Sequence, residues 1–419
     1  MELDDQFFRR EFGRLVATLT RHFGMKNLAL VEDAVQDAFS KALEVWKYRG
    51  VPENPSAWLM TAAKNRALDI LRHQRASRNA TAEIGLMQDI ESNMGTVVDE
   101  SYSRGEIKDD LLRTMFSCCH SKLPEEAHVA LILNILCGFS VSEIASALLS
   151  SHSGVEKRLT RAKKTLALSK KLFDVTNTKE FYDRLPSVQR ALYLLFNEGY
   201  HGGSPDNAIQ SDLCREAIRL SSILLGNPFG RTTVTCALSA LMCFNAARLP
   251  GRLDKEGHLT SLSTHDRSHW NQELLGEGFR LFELSSQGAD FSEYHLEAAI
   301  AAQHASANGL EDTDWQAIVK LYDRLLELHQ SPVIELNRAI AIGQNAGPEE
   351  ALEAIAAISD VKRLFDYPFY YAALGEFELR RGNSEIAKTY FQSARTVARN
   401  PIEQEFFHRR MKGIEVNLE

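Results

Sequence analysis

The chain has 419 residues, 44% of them hydrophobic, with 48 Lys and Arg against 56 Asp and Glu for a net charge of −8. That length suits two or three domains, and the apolar share supplies cores and excludes wholesale disorder. No apolar run approaches the roughly 18 residues of a membrane span, the acidic start (MELDD) is unlike a secretion signal, and six cysteines make no disulfide framework, so a reducing cytoplasm without a membrane partner is expected.

The charge is unevenly placed. Residues 1–171 hold 24 basic and 22 acidic side chains, net +2, and residues 172–419 hold 24 and 34, net −10. The average therefore does not exclude nucleic acid, and the two parts need separate readings. Only 11 prolines interrupt long stretches of 3.6-residue periodicity, and no alternating pattern marks strands, so the fold class is all-α.

Residues 1–78 read as a first helical block. In the segment 28–46, Leu28, Val31, Val35, Ala38, Ala42 and Val45 share one face, with Phe39 and Trp46 beside it. Asp33, Gln36, Asp37, Lys41 and Glu44 face outward. The loop KYRGVPENP (47–55) has a basic, aromatic start, and its Asn54-Pro55 is a good helix entry. In the helix that follows, Trp58, Leu59, Ala62, Ala63, Ile70 and Leu71 point inward. Lys64, Arg66, Arg72, Arg75 and Arg78 stand against one acid, Asp69. A basic face behind an aromatic loop suits a nucleic-acid backbone with stacked, unpaired bases. A solvated polar face and a solvated basic helix are the plain alternatives.

Residues 79–108 read as an acidic, poorly periodic linker containing Glu83, Asp89, Glu91, Asp99, Glu100 and Glu106. Residues 109–172 form a second helical block. Ser140 with Glu143, and Ser153 with Glu156, each have the spacing of a capping box. They bracket a short helix, a turn and a basic helix whose inner stripe is Val155, Leu159, Ala162 and Leu166. This is a helix–turn–helix pattern. The first residues of the last helix (His152, Ser153, Gly154, Glu156, Lys157 and Arg158) would face base edges. Arg161 lies on the same DNA-binding surface, and the lysines beyond would hold phosphates. A helical hairpin that binds no DNA is the alternative.

Residues 173–419 read as a helical extension. Tyr371, Leu374, Gly375, Gly382, Ala387, Phe391 and Ala394 take the positions of a tetratricopeptide repeat, with Pro401 two residues late. A fainter copy places Ala339, Ala346 and Ala351 on Gly375, Gly382 and Ala387. Stacked helix pairs would leave a concave surface for a peptide, protein or small ligand, and a purely structural extension is the alternative. Cys118-Cys119-His120 lacks a second ligand pair and lies on an apolar helix with Leu111, Leu112, Met115 and Phe116. His265 and His269 lack the glutamate of a metalloprotease helix, and Asp266, Arg267 and Trp270 read as a buried polar clamp. No P-loop, Rossmann fingerprint or nucleophile elbow is present, so no catalytic, cofactor or metal residue is expected and the chain is not read as an enzyme.

The stretches EDAVQDAFSKAL (32–43), WLMTAAKNRALDILR (58–72) and EIASALLSSHSGVEKRLTRAKKTL (143–166) resemble the extracytoplasmic-function group of bacterial sigma factors. The resemblance implies that the first block is sigma region 2 and the second is region 4. The face around Asp33, Gln36, Asp37 and Lys41 would dock on core RNA polymerase, and loop 47–54 would hold an unpaired base of the −10 promoter element. Asn65, Arg66, Asp69 and Arg72, with Lys64, would lie along the DNA beside it. The helix from His152 would read the −35 element. Residues 190–200, 211–224, 265–270, 294–305, 312–315 and 336–342 resemble a subgroup with a long helical C-terminal extension, which would serve as a regulatory or protein-interaction module. A stand-alone helix–turn–helix regulator with a repeat-domain sensor is the alternative reading.

Overall fold

The structure is a computed structural model that describes residues 5–76, 104–148, 150–168, 173–174, 176–200, 210–252, 254, 256, 258–261 and 267–416. The expected linker lies mostly outside the described residues; its last positions, 104–108, already belong to a helix. The chain divides into two compact units, Met1–Leu194 and Leu195–Glu419. The elements found are helical, with no β-strand among the described residues, and the fold is all-α. No helix among them is long and apolar enough to cross a membrane.

The first unit opens with α1 (Asp5–Phe23), α2 (Leu28–Arg49) and α3 (Pro55–Ala76). Their core combines Leu15, Val16 and Leu19 of α1, Leu28, Val31, Val35, Ala38 and Ala42 of α2, and Leu59, Ala63 and Ala67 of α3, all at most 2% exposed. Each large aliphatic side chain so buried contributes about 1.5–3 kcal/mol. Trp46 and Trp58 meet edge to face, 5.4 Å apart, where α2 and α3 converge. Gly50, at φ +76, turns the chain out of α2 and donates its N–H to the Trp46 carbonyl. Asn54 Oδ1 accepts the Ala57 N–H at 3.0 Å and so caps α3. Ile70 and Leu71 are half-buried rather than enclosed, because the inward face passes through Met60 and Leu68 instead.

Next come α4 (Arg104–Cys118), α5 (Glu125–Leu131) running into a π-helical turn (Ile132–Leu136), α6 (Val141–Ala147) and α7 (His152–Ala167). Helices α6 and α7 form the helix–turn–helix. The Ser140 box is present: Glu143 N donates to Ser140 Oγ at 3.2 Å, and Ser140 N donates to the Glu143 carboxylate at 2.8 Å. The second box is corrected. Ser151, in extended backbone, is the cap, accepting the Gly154 N–H at 3.1 Å. Ser153 and Glu156 already lie within the helix. The hydroxyl at 151 stands three residues before an N–H with no helical partner, so α7 begins two residues earlier than the Ser153 spacing implied.

The first unit continues past residue 172. Phe173 and Phe181 pack on Phe116 at 4.7 and 4.3 Å, and Arg184 donates to the Phe116 carbonyl. The division falls inside α8 (Thr178–Tyr200).

The second unit comprises the end of α8, α9 (Ser211–Gly226), α10 (Thr233–Ala247), α11 (Gln272–Ser285), α12 (Glu293–Ser306), α13 (Trp315–Leu328), α14 (Pro332–Asn345), α15 (Pro348–Ala356), α16 (Pro368–Arg380), α17 (Ser384–Thr396) and α18 (Pro401–Val416). From Thr235 to Phe244 every residue of α10 is buried, which marks it as the central helix. Arg248, at its end, is 7% exposed, donates to the Ala301 carbonyl at 3.0 Å and lies over the Trp270 ring. Arg267 lies over the same ring and donates to the carbonyls of His304 and Ala307, each at 2.7 Å. Arg267 and Trp270 thus make the expected clamp, while His265 and Asp266 lie outside the described residues.

Helices α14 and α16 both begin at a proline, Pro332 and Pro368, 36 residues apart, and α15 and α17 start with the same offset. In the later pair, a Cβ on Gly375 would stand 3.1 Å from the Phe391 ring. In the earlier pair the close approach falls at Gly343, where a Cβ would meet Phe377 at 2.4 Å and Ala351 at 2.6 Å. That is one turn beyond Ala339, the position aligned with Gly375. Pro401 opens α18.

Candidate nucleic-acid and partner interface

The residues singled out on α7 occupy its first three turns. His152, Ser153, Glu156, Lys157 and Arg161 are exposed, and Gly154 and Arg158 are half-buried. Arg158 pairs with Glu126 at 3.4 Å, which fixes it against α5 while most of the helix surface stays open. The inner stripe of Val155, Leu159, Ala162 and Leu166 is at most 4% exposed and anchors this surface.

On α2, Asp33, Gln36, Asp37 and Lys41 are all exposed. On α3, Asn65, Arg66, Asp69 and Arg72 are exposed and Lys64 is half-buried; burial lowers the Lys64 pKa. Arg72 pairs with Asp69 at 3.2 Å. Arg66 Nε lies 2.6 Å from Asp37 Oδ2, so the two faces meet along one ridge. Between them, at the end of α2, Tyr48 is 83% exposed and Val51 50% exposed, with Lys47 beside the Tyr48 ring. An exposed aromatic flanked by cations is a platform for a flat, electron-rich group such as a base. Arg78 and the side chain of Arg75 lie outside the described residues.

Sequence reasoning missed Glu32. It lies between Leu28 and Val35 on the apolar stripe, and a charge in that register needs a partner. Lys163 of α7 supplies it, with Nζ 2.7 and 2.8 Å from the two carboxylate oxygens. Burial lifts the Glu32 pKa above its ordinary value, and Lys163 opposes that only in part. Glu143, which also takes Arg9, is pulled the other way: burial raises it, but hydrogen bonds from Ser140 and Arg9 outweigh that. Asp110 of α4 is 2% exposed, pairs with Arg21 of α1 at 3.2 Å and is raised by burial to about 6.

Cys118 and Cys119 are fully buried, and desolvation pushes both thiols far up. In the second unit, Asp254, Glu256 and His258 lie together on the surface, and Arg409 of α18 pairs with the two acids at 3.2 and 3.4 Å.

Three family models match the chain: Sigma-70 region 2 over residues 8–77, Sigma-70 region 4 over residues 113–166, and a family of unknown function (DUF6596) over residues 184–286. An uncharacterized protein of Rhizobium meliloti (strain 1021) is 35% identical over 390 residues, 93% of this chain and 90% of that protein. The ECF RNA polymerase sigma factor SigK of Mycobacterium ulcerans (strain Agy99) is 30% identical over 115 residues, 24% of this chain and 60% of that protein. No solved structure matches. With α1–α3 in the region 2 match, the helix–turn–helix in the region 4 match and a helical extension after them, the chain belongs to the sigma-70 family of extracytoplasmic-function type, in a form that carries a C-terminal domain of the DUF6596 family.

Proposed function

We propose that this chain recruits core RNA polymerase to promoters through the residues named above and that its C-terminal helical pairs form a regulatory or protein-interaction module. Asp33, Gln36, Asp37 and Lys41 dock on the polymerase. Loop 47–54 captures an unpaired base of the −10 element, with Lys64, Asn65, Arg66, Asp69 and Arg72 along the strand beside it. His152, Ser153, Gly154, Glu156, Lys157, Arg158 and Arg161 meet the −35 element. Capturing flipped bases offsets part of the cost of unstacking, so this role needs no covalent chemistry.

The observation that carries this reading is the pairing of two exposed recognition surfaces, the first turns of α7 and the Tyr48 loop, in one chain. A regulator that bound only duplex DNA would need the first and not the second. Run-off transcription with purified core enzyme tests it. Core plus this protein is expected to initiate on fragments from its own upstream region. Duplex binding without core-dependent initiation would favour a stand-alone regulator.

The module is tested by removing residues 201–419 and comparing promoter output in cells. The cut belongs after α8, because Phe181 and Arg184 pack on Phe116 in the first unit. Unchanged output and regulation would exclude the regulatory role.

A further inference from the structure

In the second unit, α9, α10 and α11 line an open hollow of about 290 Å³. That is close to the smaller end of ligand clefts, which run from about 300 to 1,000 Å³. Leu225, Leu281 and Leu284 give it an apolar wall, and Cys236 lines it at 3% exposure. Burial pushes the Cys236 thiol up, so it stays protonated and presents a neutral surface, not a nucleophile. Arg231, Arg280 and Glu277 supply the charge.

Arg231 is held in place by the turn that precedes it. Asn227 Oδ1 accepts the Phe229 and Gly230 N–H groups at 2.9 and 3.2 Å, and the Asn227 carbonyl accepts the Arg231 N–H at 3.0 Å. A Cβ on Gly230 would collide with the Leu224 carbonyl, so the turn needs glycine there. Arg231 Nε donates to the Leu225 carbonyl at 3.0 Å, which fixes the guanidinium beside the hollow. Among the described residues no carboxylate pairs with Arg231. Arg280 differs. Its Nε and Nη2 donate to the two Glu277 oxygens at 2.7 and 2.6 Å, and these bonds hold the Glu277 carboxyl below its usual range. The three side chains together leave one positive charge uncompensated, in a part of the chain that is net −10.

We propose that this hollow binds a small organic oxyanion, with its carboxylate or phosphate head on the Arg231 guanidinium and an apolar body against Leu225, Leu281 and Leu284. With Nε taken by the Leu225 carbonyl, the two terminal nitrogens of Arg231 carry the donors for that head. A guanidinium fixed in advance meets an oxyanion without first ordering a long side chain. The leucine wall favours a ligand with apolar area to bury over a bare inorganic ion. The site lies within residues 184–286, the stretch matched to the DUF6596 family, and assigns that stretch a class of ligand. It stands on the geometry of these helices and not on the sigma-factor reading.

The test is isothermal titration calorimetry on the full chain with benzoate, phenyl phosphate, inorganic phosphate and benzamide. Benzoate or phenyl phosphate should bind saturably at one site with a Kd at or below about 1 mM, and the tighter of the two identifies the head group. Inorganic phosphate should bind more weakly than phenyl phosphate. Benzamide, which keeps the shape of benzoate without its charge, should not bind. Arg231→Gln should weaken binding at least about tenfold. Glu277→Gln should tighten it several-fold, because it removes a like charge and frees the Arg280 fork; loss of a merely structural contact would not tighten it. Both residues are exposed, and unchanged helical circular dichroism would show that each variant folds. Absence of saturable binding by both aromatic anions overturns the site, as does binding that Arg231→Gln leaves unchanged. Equal binding of benzamide or of inorganic phosphate overturns the ligand class, and weaker binding by Glu277→Gln overturns the placement of the head.

Discussion

The Arg66 guanidinium stands 2.6 Å from the Asp37 carboxylate, joining α3 to α2 across their solvent-facing sides. One partner is assigned to DNA and the other to polymerase, and each is half exposed. Such a pair contributes at most about 1 kcal/mol to stability. Arg66→Ala should therefore leave the melting temperature within a few degrees of the parent while lowering run-off transcript several-fold. Thermal unfolding beside a transcription assay reads both, and a large loss of stability with full activity would reverse the assignment.

Arg158→Ala with Arg161→Ala should weaken binding of a −35 duplex. Removing two cations from the DNA-facing surface should flatten the plot of log affinity against log salt by up to about 1.8 in slope. Among the described residues the ion-pair partner of Arg158 is the exposed Glu126, so the fold should survive. Loss confined to polymerase binding would mean α7 is not the recognition helix.

Asp110 makes the first unit sensitive to pH. Its pKa is raised from 3.8 to about 6, chiefly by burial. The folded protein thus binds this proton more tightly than the unfolded chain does. That stabilisation is complete below about pH 4 and is lost as pH rises through 6, a swing of about 3 kcal/mol. Asp110→Asn mimics the protonated form and should remove this slope. Urea unfolding of parent and variant between pH 4 and 7 measures it, and parallel curves would refute it.

His304 acts oppositely in the second unit. Burial, with the charges of Arg248 and Arg267, lowers its pKa from 6.5 to about 3. The stability tied to its neutral form is complete above pH 6.5 and is lost as pH falls toward 3, up to about 5 kcal/mol. His304→Gln should cost stability at neutral pH yet flatten the acid side of the curve. An equal acid slope in both proteins would rule His304 out as the source.

Gly343 and Gly276 should respond differently to a side chain. Gly343→Val drives a branched group into Phe377 and Ala351 and should cost at least about 1–3 kcal/mol. Gly276 lies within α11 with nothing near its missing Cβ, so Gly276→Ala should stabilise by about 0.5–1 kcal/mol. Equal shifts in the denaturation midpoint would mean the α14–α15 approach is not tight.

Sequence alone determined what depends on short-range periodicity and local chemistry. The stripe Leu28–Val31–Val35–Ala38, the Asn54 cap, the Ser140 box and the basic helix behind Val155 are set by residues three or four apart. The same spacing exposed Asp33, Gln36, Asp37 and Lys41. Where two local options competed, it erred by two to four residues: Ser153 resembles a cap as well as Ser151, and Ala339 resembles the small position as well as Gly343. Tertiary structure decided the long-range partners. Nothing within a few residues of Glu32 announces Lys163, and nothing near Gly13 announces that the Leu136 carbonyl packs against it. A charge on an apolar stripe shows that a partner exists; only the packing of α7 on α2 shows which one. The same holds for the extension of the first unit past residue 172, where Phe173 and Phe181 close over Phe116 of α4, because burial is a property of the packed chain and not of any window along it.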